Sequence, residues 1–285
     1  MKKIFLLTCF TILAAACSHS DKNAARQQAE KNQLRVIKIK GSETIRPFIE
    51  KAIVAYEGKH PNIVIDYTGG GSNLGLMALK QNEADIIFSS KAFNEDDLEG
   101  MPQGKTLQTE VMAYDALCVI VNIRNPLNEL TRTQLSDIYS GKVKNWKELS
   151  GQDMPIQVYS RDISSGSYSF FKDRVLLNEN YSSTDINLVH NEEIVNNVRD
   201  KMNAIGYVGH GNVNAEVKTL KIKKEGDMDF VAPNLVNVKN NTYLLSRELS
   251  CIYFLESDIA VKEFITFLKS AECKEMIQEV GFLNK

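Results

Sequence analysis

The chain has 285 residues, 43% of them hydrophobic and 25% charged, and its 34 Lys and Arg against 36 Asp and Glu give a formal net charge of −2. That length accommodates one large domain or two medium ones, each with its own core. The near-neutral balance excludes the basic excess of a nucleic-acid-binding protein, and neither a low-complexity tract nor a short repeat is present.

Residues 1–17, MKKIFLLTCFTILAAAC, read as a secretory signal: two lysines, an apolar run from Ile4 to Ala16, and small residues before Cys17. The apolar run is too short to span a bilayer as a mature helix. The closing LAAAC resembles a bacterial lipobox, with its leucine four places before Cys17 where three is usual. Lipidation of Cys17 is the favoured expectation, and ordinary cleavage after the alanines is the alternative. Residues 18–33 are polar and read as a flexible tether.

From residue 34 the pattern alternates β-branched runs with amphipathic stretches. A strand is predicted at 34–41 (LRVIKIKG), and a helix at 47–60 with Phe48, Ile49, Ala52, Ile53 and Tyr56 on one face. A strand at 62–69, a helix at 73–83 and a strand at 84–90 follow. A second series begins near Tyr114, with strands at 116–122, 155–161 and 204–210 and helices at 131–141 and 167–177. The chain closes with an extended segment at 241–254 and two helices over 258–281. Repeated β-α-β units imply an α/β architecture with a largely parallel sheet. There are enough elements for two lobes, 34–113 plus 232–285 and 114–231, with a crossing near Ala113 and a return around Val231 to Asn241.

One design recurs along this series. GGGSNLGL, residues 69–76, is a strand–loop–helix junction with Ser72 placed as the N-cap. KGSETIRPF repeats the form with Gly41, Ser42 and Thr44 before Pro47. SRDISSGSYSFF repeats it again, with Ser164, Ser165, Gly166 and Ser167 opening a helix after Arg161. Ser89 and Ser90 in FSSKAFNEDDL offer a fourth instance. A helix N-terminus presents unpaired N–H groups and the positive end of the helix dipole, so several converging between two lobes would hold an oxyanion. Any one junction alone is more simply a cap or a turn; the recurrence points to a function. Arg161 would add a charged, bidentate contact.

These residues carry a resemblance. The chain resembles the phosphate-binding subfamily of periplasmic solute-binding proteins, the receptor subunits of phosphate ABC transporters. The similarity runs from about Ile37 to Phe282 and rests on GSETIRPF, YTGGGSNLGL, ADIIFSS, LTRTQLSDIYSGKVKNW, PIQVYSRDISSGSYSFF, AIGYVG and YLLSRELSCIYF. The resemblance implies a two-lobed α/β fold of the type II periplasmic-binding-protein class, with a two-strand hinge and an interlobe ligand cleft. It places Thr44 and the Ile45 backbone in a first binding loop, Ser72 in a second, and Arg161, Ser165, Gly166 and Ser167 in a third. Ser167 stands where threonine is more usual and keeps the hydroxyl.

One position departs from the family. Many members carry serine-aspartate at the end of the ADIIFSS strand, and here Ser90 takes the aspartate's place, followed by Lys91. A carboxylate there would accept the proton of hydrogen phosphate and repel sulfate. Without it, discrimination falls to another acceptor such as Glu43 or Asp115, or to backbone carbonyls. The implied function is a receptor that delivers inorganic phosphate to a membrane permease. Sulfate, molybdate or a phosphate-sensing role are the alternatives. The protein is expected to be exported, anchored to the membrane through Cys17, monomeric, and free of cofactor or nucleic acid.

No nucleotide-binding glycine pattern, phosphate loop or nucleophile elbow is present, and His19, His60, His190 and His210 show no metal spacing. An enzyme is therefore not expected, although His210 could lie near the cleft. Arg46 and Arg247 are candidates for steering the anion or for ion pairs, and an ion pair is favoured for Arg247. Cys118, Cys251 and Cys273 are expected as buried thiols, with a Cys251–Cys273 bridge left open. Trp146 is expected in packing, and NEDDLEG as a capped, solvated helix start.

Overall fold

The computed structural model describes residues 34–149, 152–177 and 179–285. The signal segment with Cys17, and the 18–33 tether with His19, lie outside the described residues.

The first half begins with strand β1 (Arg35–Gly41), helix α1 (Arg46–Lys59), β2 (Ile63–Gly70), α2 (Ser72–Lys80), β3 (Ile86–Ser89) and the short α3 (Glu95–Leu98). A sixteen-residue strand β4 (Leu107–Asn122) leads to β5 (Glu129–Thr131), α4 (Arg132–Tyr139), β6 (Gln157–Arg161) and α5 (Gly166–Phe171). Then come β7 (Ile186–Leu188), α6 (Asn191–Asp200), β8 (Ala204–Gly209), β9 (Val217–Thr219) and β10 (Lys221–Lys223). The chain ends with α7 (Leu235–Lys239), β11 (Ser246–Phe254), α8 (Ile259–Leu268), α9 (Ala271–Glu279) and β12 (Leu283–Asn284).

The main sheet runs β2-β1-β3-β11-β4-β8-β6-β7, with β9 and β12 also paired to β4. Its ends are parallel, as β-α-β connections demand: β1 with β2 and β3, and β6 with β7 and β8. Its middle is antiparallel, because β11 pairs with β3 and β4, and β4 with β8. The largely parallel expectation thus describes the flanks and not the centre. β4 begins nine residues before the predicted strand, since its first half, with the polar run at 108–110, is mostly part-buried, while its second half is buried throughout. Helix α6 was not expected: only Ile194, Val195 and Val198 are apolar in an otherwise polar run.

Two large apolar cores share the β4–β11 pair between them, and a third, smaller cluster gathers Leu76, Leu79, Ile87, Ile252 and Phe254. One large core gathers Ile37, Ile39, Phe48, Ile49, Phe88, Ala113, Leu249, Phe264 and Phe282. The other gathers Ala116, Leu117, Tyr139, Trp146, Phe171, Tyr207, Val238, Tyr243 and Leu245. Val238, Tyr243 and Leu245 pack into this second core although they fall beyond residue 231, where the expected lobe boundary lies. The chain changes cores within both long strands: between Ala113 and Ala116 on β4, and between Leu245 and Leu249 at β11. There Asp115 and Arg247 face each other in register.

The smaller expectations are settled by packing. Trp146 is buried, and its indole N–H donates to the Asn203 carbonyl at 3.0 Å. Cys118, Cys251 and Cys273 are free and buried, so the bridge left open from sequence is not formed. Burial raises the pKa of all three thiols, which suppresses the reactive thiolate. Asn94 opens α3 with a reciprocal capping box to Asp97. No helix among the described residues is long and apolar enough to cross a membrane.

Candidate functional site

The candidate site forms where three loops meet. In the first, β1 ends at Gly41, whose φ of +127° and whose position, with a Cβ only 2.2 Å from the Phe88 carbonyl oxygen, admit no side chain. Ser42 then accepts from the Thr44 N–H at 3.2 Å and opens a single 3-10 turn, Glu43–Ile45. Pro47 follows in the first turn of α1. The turn holds the Ile45 backbone beside Thr44 and buries both residues.

In the second loop the N-cap of α2 is Gly71, with φ +124°, and not Ser72 as the sequence suggested. The Gly71 N–H is taken by the Gly41 carbonyl at 2.8 Å. This places Ser72 as the first helical residue and aims its hydroxyl across to β3. There Ser72 Oγ accepts from the Ser90 N–H at 3.1 Å and lies 3.5 Å from Ser90 Oγ. Ser90 is therefore not part of a helix start, since Asn94 caps the helix that follows. It joins the site as the residue that follows β3.

The third loop follows Arg161. Ser165 caps α5 by accepting from the Ser167 N–H at 3.2 Å. Gly166 lies against the second loop and the end of β3: a Cβ on it would stand 2.3 Å from Ser72 Oγ and 2.8 Å from Ser90 Oγ. Ser167 Oγ lies 3.3 Å from Thr44 Oγ1. The lobes also touch through the Asn73 N–H to the Ser164 carbonyl at 3.0 Å, and through Ser164 Oγ donating to the Gly70 carbonyl at 2.6 Å. Thr44, Ser72, Ser90, Ser165, Ser167 and Arg161 are each at most 3% exposed. So many buried polar side chains between two apolar cores require a purpose.

Arg161 donates Nη1 to Asn191 Oδ1 at 2.6 Å, Nη2 to the Val189 carbonyl at 2.5 Å, and Nε to the Leu188 carbonyl at 3.3 Å. Three of its five N–H donors are thus spent on neutral acceptors. No carboxylate among the described residues forms an ion pair with it. Burial lowers its pKa to about 10, which leaves it cationic at neutral pH. Asn191, at the start of the unexpected helix α6, carried no sequence signal of this role.

Arg247 makes the expected ion pair, with Nε and Nη2 donating to Asp115 Oδ2 at 2.9 and 2.8 Å. It also reaches the site, which the sequence reading did not foresee. Its Nη1 donates to Ser167 Oγ at 2.7 Å and its Nη2 to Thr44 Oγ1 at 3.2 Å. The second oxygen of Asp115 accepts from the His210 N–H at 2.8 Å. The His210 ring turns away and places Nδ1 2.9 Å from the Gly281 carbonyl oxygen.

Glu43 is held by Arg46, whose Nε and Nη2 donate to its two oxygens at 2.8 and 2.7 Å, and by the Gly70 N–H at 2.7 Å. Its burial opposes ionisation, but the combined effect of Arg46, Gly70 and His190 lowers its pKa to about 2. The folded pKa lies below the unfolded value. The Glu43 contribution is therefore complete above about pH 4.5 and is lost as pH falls towards 2. In acid-unfolding series, wild type should lose on the order of 2 to 3 kcal/mol across that window relative to Glu43→Gln. Parallel acid curves for the two proteins would contradict this placement of Glu43.

A match to the PBP superfamily domain covers residues 20–272. The chain belongs to the PBP superfamily. Among curated relatives of this superfamily member, the phosphate-binding protein PstS of Borreliella burgdorferi is 29% identical over 294 residues, covering 100% of this chain and 99% of its own. PstS of Bacillus subtilis is 25% identical, covering 98% and 92%. An ABC-type phosphate transport receptor from Vibrio cholerae superimposes with a TM-score of 0.71 at 31% identity, covering 87% of this chain and 100% of its own. A Clostridium perfringens structure gives 0.80 at 28% identity, covering 88% and 100%. That protein is provisionally described as a phosphate ABC transporter substrate-binding protein and holds bound phosphate. The fold is that of type II periplasmic phosphate-binding proteins, and the relatives named here are binding and transport proteins, not enzymes.

Proposed function

We propose that this PBP-superfamily protein is an exported receptor that binds inorganic phosphate between its lobes and presents it to a membrane permease. The observation that carries this reading is Arg161, a buried cation with neutral partners and two uncommitted donors, at the head of the loop that carries the buried Ser165 and Ser167 hydroxyls. The relatives' phosphate binding supports the choice of ligand.

The ligand-binding set is Thr44, the Ile45 backbone, Ser72, Ser90, Arg161, Ser165, Gly166 and Ser167. The lobes divide at the Asp115–Arg247 crossing, so a ligand that contacts both sides favours the closed arrangement by its differential binding energy. Cys17 serves as the lipid anchor of a monomeric receptor.

Calorimetric titration of the purified full chain with inorganic phosphate tests the reading. Micromolar or tighter binding, worth about 8 kcal/mol or more, is expected. A flat titration under conditions where the protein is folded rejects it.

A further inference from the structure

The site contains carboxylates, but none of them faces it unpartnered. Both Glu43 oxygens accept from Arg46, and one also accepts from the Gly70 N–H. Both Asp115 oxygens are taken, by Arg247 and by the His210 N–H. Asp162 Oδ1 accepts from the Ser164 N–H at 2.9 Å and lies 2.6 Å from Ser164 Oγ, competing with the Gly70 carbonyl for that hydroxyl's one proton. Among the side chains, whatever receives a ligand's proton must be sought among the hydroxyls.

Four of these hydroxyls already accept from behind. Ser167 and Thr44 each accept an Arg247 N–H, Ser72 accepts the Ser90 N–H, and Ser165 accepts the Ser167 N–H. A hydroxyl has one proton to give and two lone pairs to offer. An oxygen that accepts from a guanidinium becomes a stronger donor and a poorer acceptor, because the charge behind it opposes a second incoming proton. The proton of each is left to the neighbouring hydroxyl or to an anion. Ser90 Oγ differs: its contact is the long 3.5 Å approach to Ser72 Oγ, with no N–H donor or cation behind it.

We propose that Arg247, held by Asp115, is a positioning residue that commits the Thr44 and Ser167 hydroxyls to donation. Among the site's described hydroxyls, Ser90 is then the one left to accept a ligand proton, and the site selects doubly charged tetrahedral anions, sulfate together with hydrogen phosphate. A hydroxyl at Ser90 serves both ligands, since it accepts from hydrogen phosphate and donates to sulfate. Dihydrogen phosphate, with two protons and one acceptor, is disfavoured. This inference rests on the ligand site proposed above and adds the rule by which that site chooses among anions.

The test is titration of the full chain with phosphate and with sulfate, each on the acid and the alkaline side of phosphate's second ionisation. Sulfate is expected to bind within about tenfold of phosphate on the alkaline side. Phosphate affinity should fall on the acid side in step with the loss of the dianion. Sulfate keeps its double charge and reads any contribution from the protein's own groups: His190 against Glu43, His210 beside Asp115, and the Glu43–Arg46, Asp162 and Arg161 charges around them.

Ser90→Asp should cost sulfate about a hundredfold or more and leave phosphate bound, because the carboxylate accepts a proton and repels an anion without one. The paired variant Arg247→Gln with Asp115→Asn avoids stranding a buried carboxylate. It should flatten the pH dependence of phosphate binding, which a purely structural loss would leave in place at lower affinity.

Tight phosphate binding with sulfate weaker by more than about a hundredfold overturns the inference and leaves the receptor reading standing. So does phosphate affinity that ignores pH while sulfate affinity is constant. Binding of neither anion overturns both.

Discussion

Arg161→Ala is expected to lower phosphate affinity by about a hundredfold or more, since each charge-assisted hydrogen bond to the anion contributes roughly 1.5–3 kcal/mol. Calorimetry at neutral pH checks it. Arg161→Lys should fail nearly as badly, because an ammonium keeps the charge but cannot make two contacts in one plane while retaining the bonds behind it.

The sequence alone suggests that the alanine variant leaves the fold untouched. The structure adds a cost. Arg161 also satisfies the Leu188 and Val189 carbonyls and the Asn191 amide oxygen, and its removal strips three partly or fully buried acceptors of their donor. A loss of about 1–3 kcal/mol in thermal or denaturant unfolding should accompany the loss of binding. Unchanged affinity in a folded Arg161→Ala protein would remove Arg161 from the site.

The second large effect is expected at Gly166. Its backbone is ordinary helix, so alanine there carries no conformational penalty and acts only through space. The added methyl would stand 2.3 Å from Ser72 Oγ and 2.8 Å from Ser90 Oγ, on the far side of the interlobe seam. Gly166→Ala should therefore hold the lobes apart and weaken phosphate binding by at least about tenfold. Because the nearest atoms the methyl would meet belong to Ser72 and Ser90 and to no member of an apolar core, denaturation of the ligand-free variant should match wild type. Full phosphate affinity in Gly166→Ala would show that the third loop does not approach Ser72 and Ser90 in the bound protein. Gly71→Ala is a poorer probe of the same seam, since its φ of +124° adds backbone strain to the clash with the Ser164 carbonyl.

Much of the site was legible before the fold was known, and the reason is local. Ser42, Ser165 and Pro47 announce helix starts by chemistry that acts within a few residues, and each does so in the structure. Ser72 shows the limit of such reasoning. A serine before a helix suggests a cap, but Gly71 occupies that position and releases the hydroxyl for Ser90, eighteen residues away. Ser89 and Ser90 suggest a helix start by composition, yet the real cap is Asn94. In both places the side chain has two satisfactory local partners on paper, and long-range packing chooses between them.

The alternation of strands and helices, the amphipathic face of α1, the free buried thiols and the burial of Trp146 follow from periodicity and composition, because burying apolar side chains dominates their placement. Tertiary structure decided the rest: that Arg247 spans Asp115, Thr44 and Ser167, that Asn191 supports Arg161, and that the chain recrosses at β11 and not before α7. These are contacts between residues 30 to 203 positions apart, as in Arg161–Asn191 and Thr44–Arg247. No local propensity encodes them. They exist because the antiparallel pairing of β4 with β11 brings two hinge strands into register, and a long, planar guanidinium on one of them can reach hydroxyls from both lobes at once.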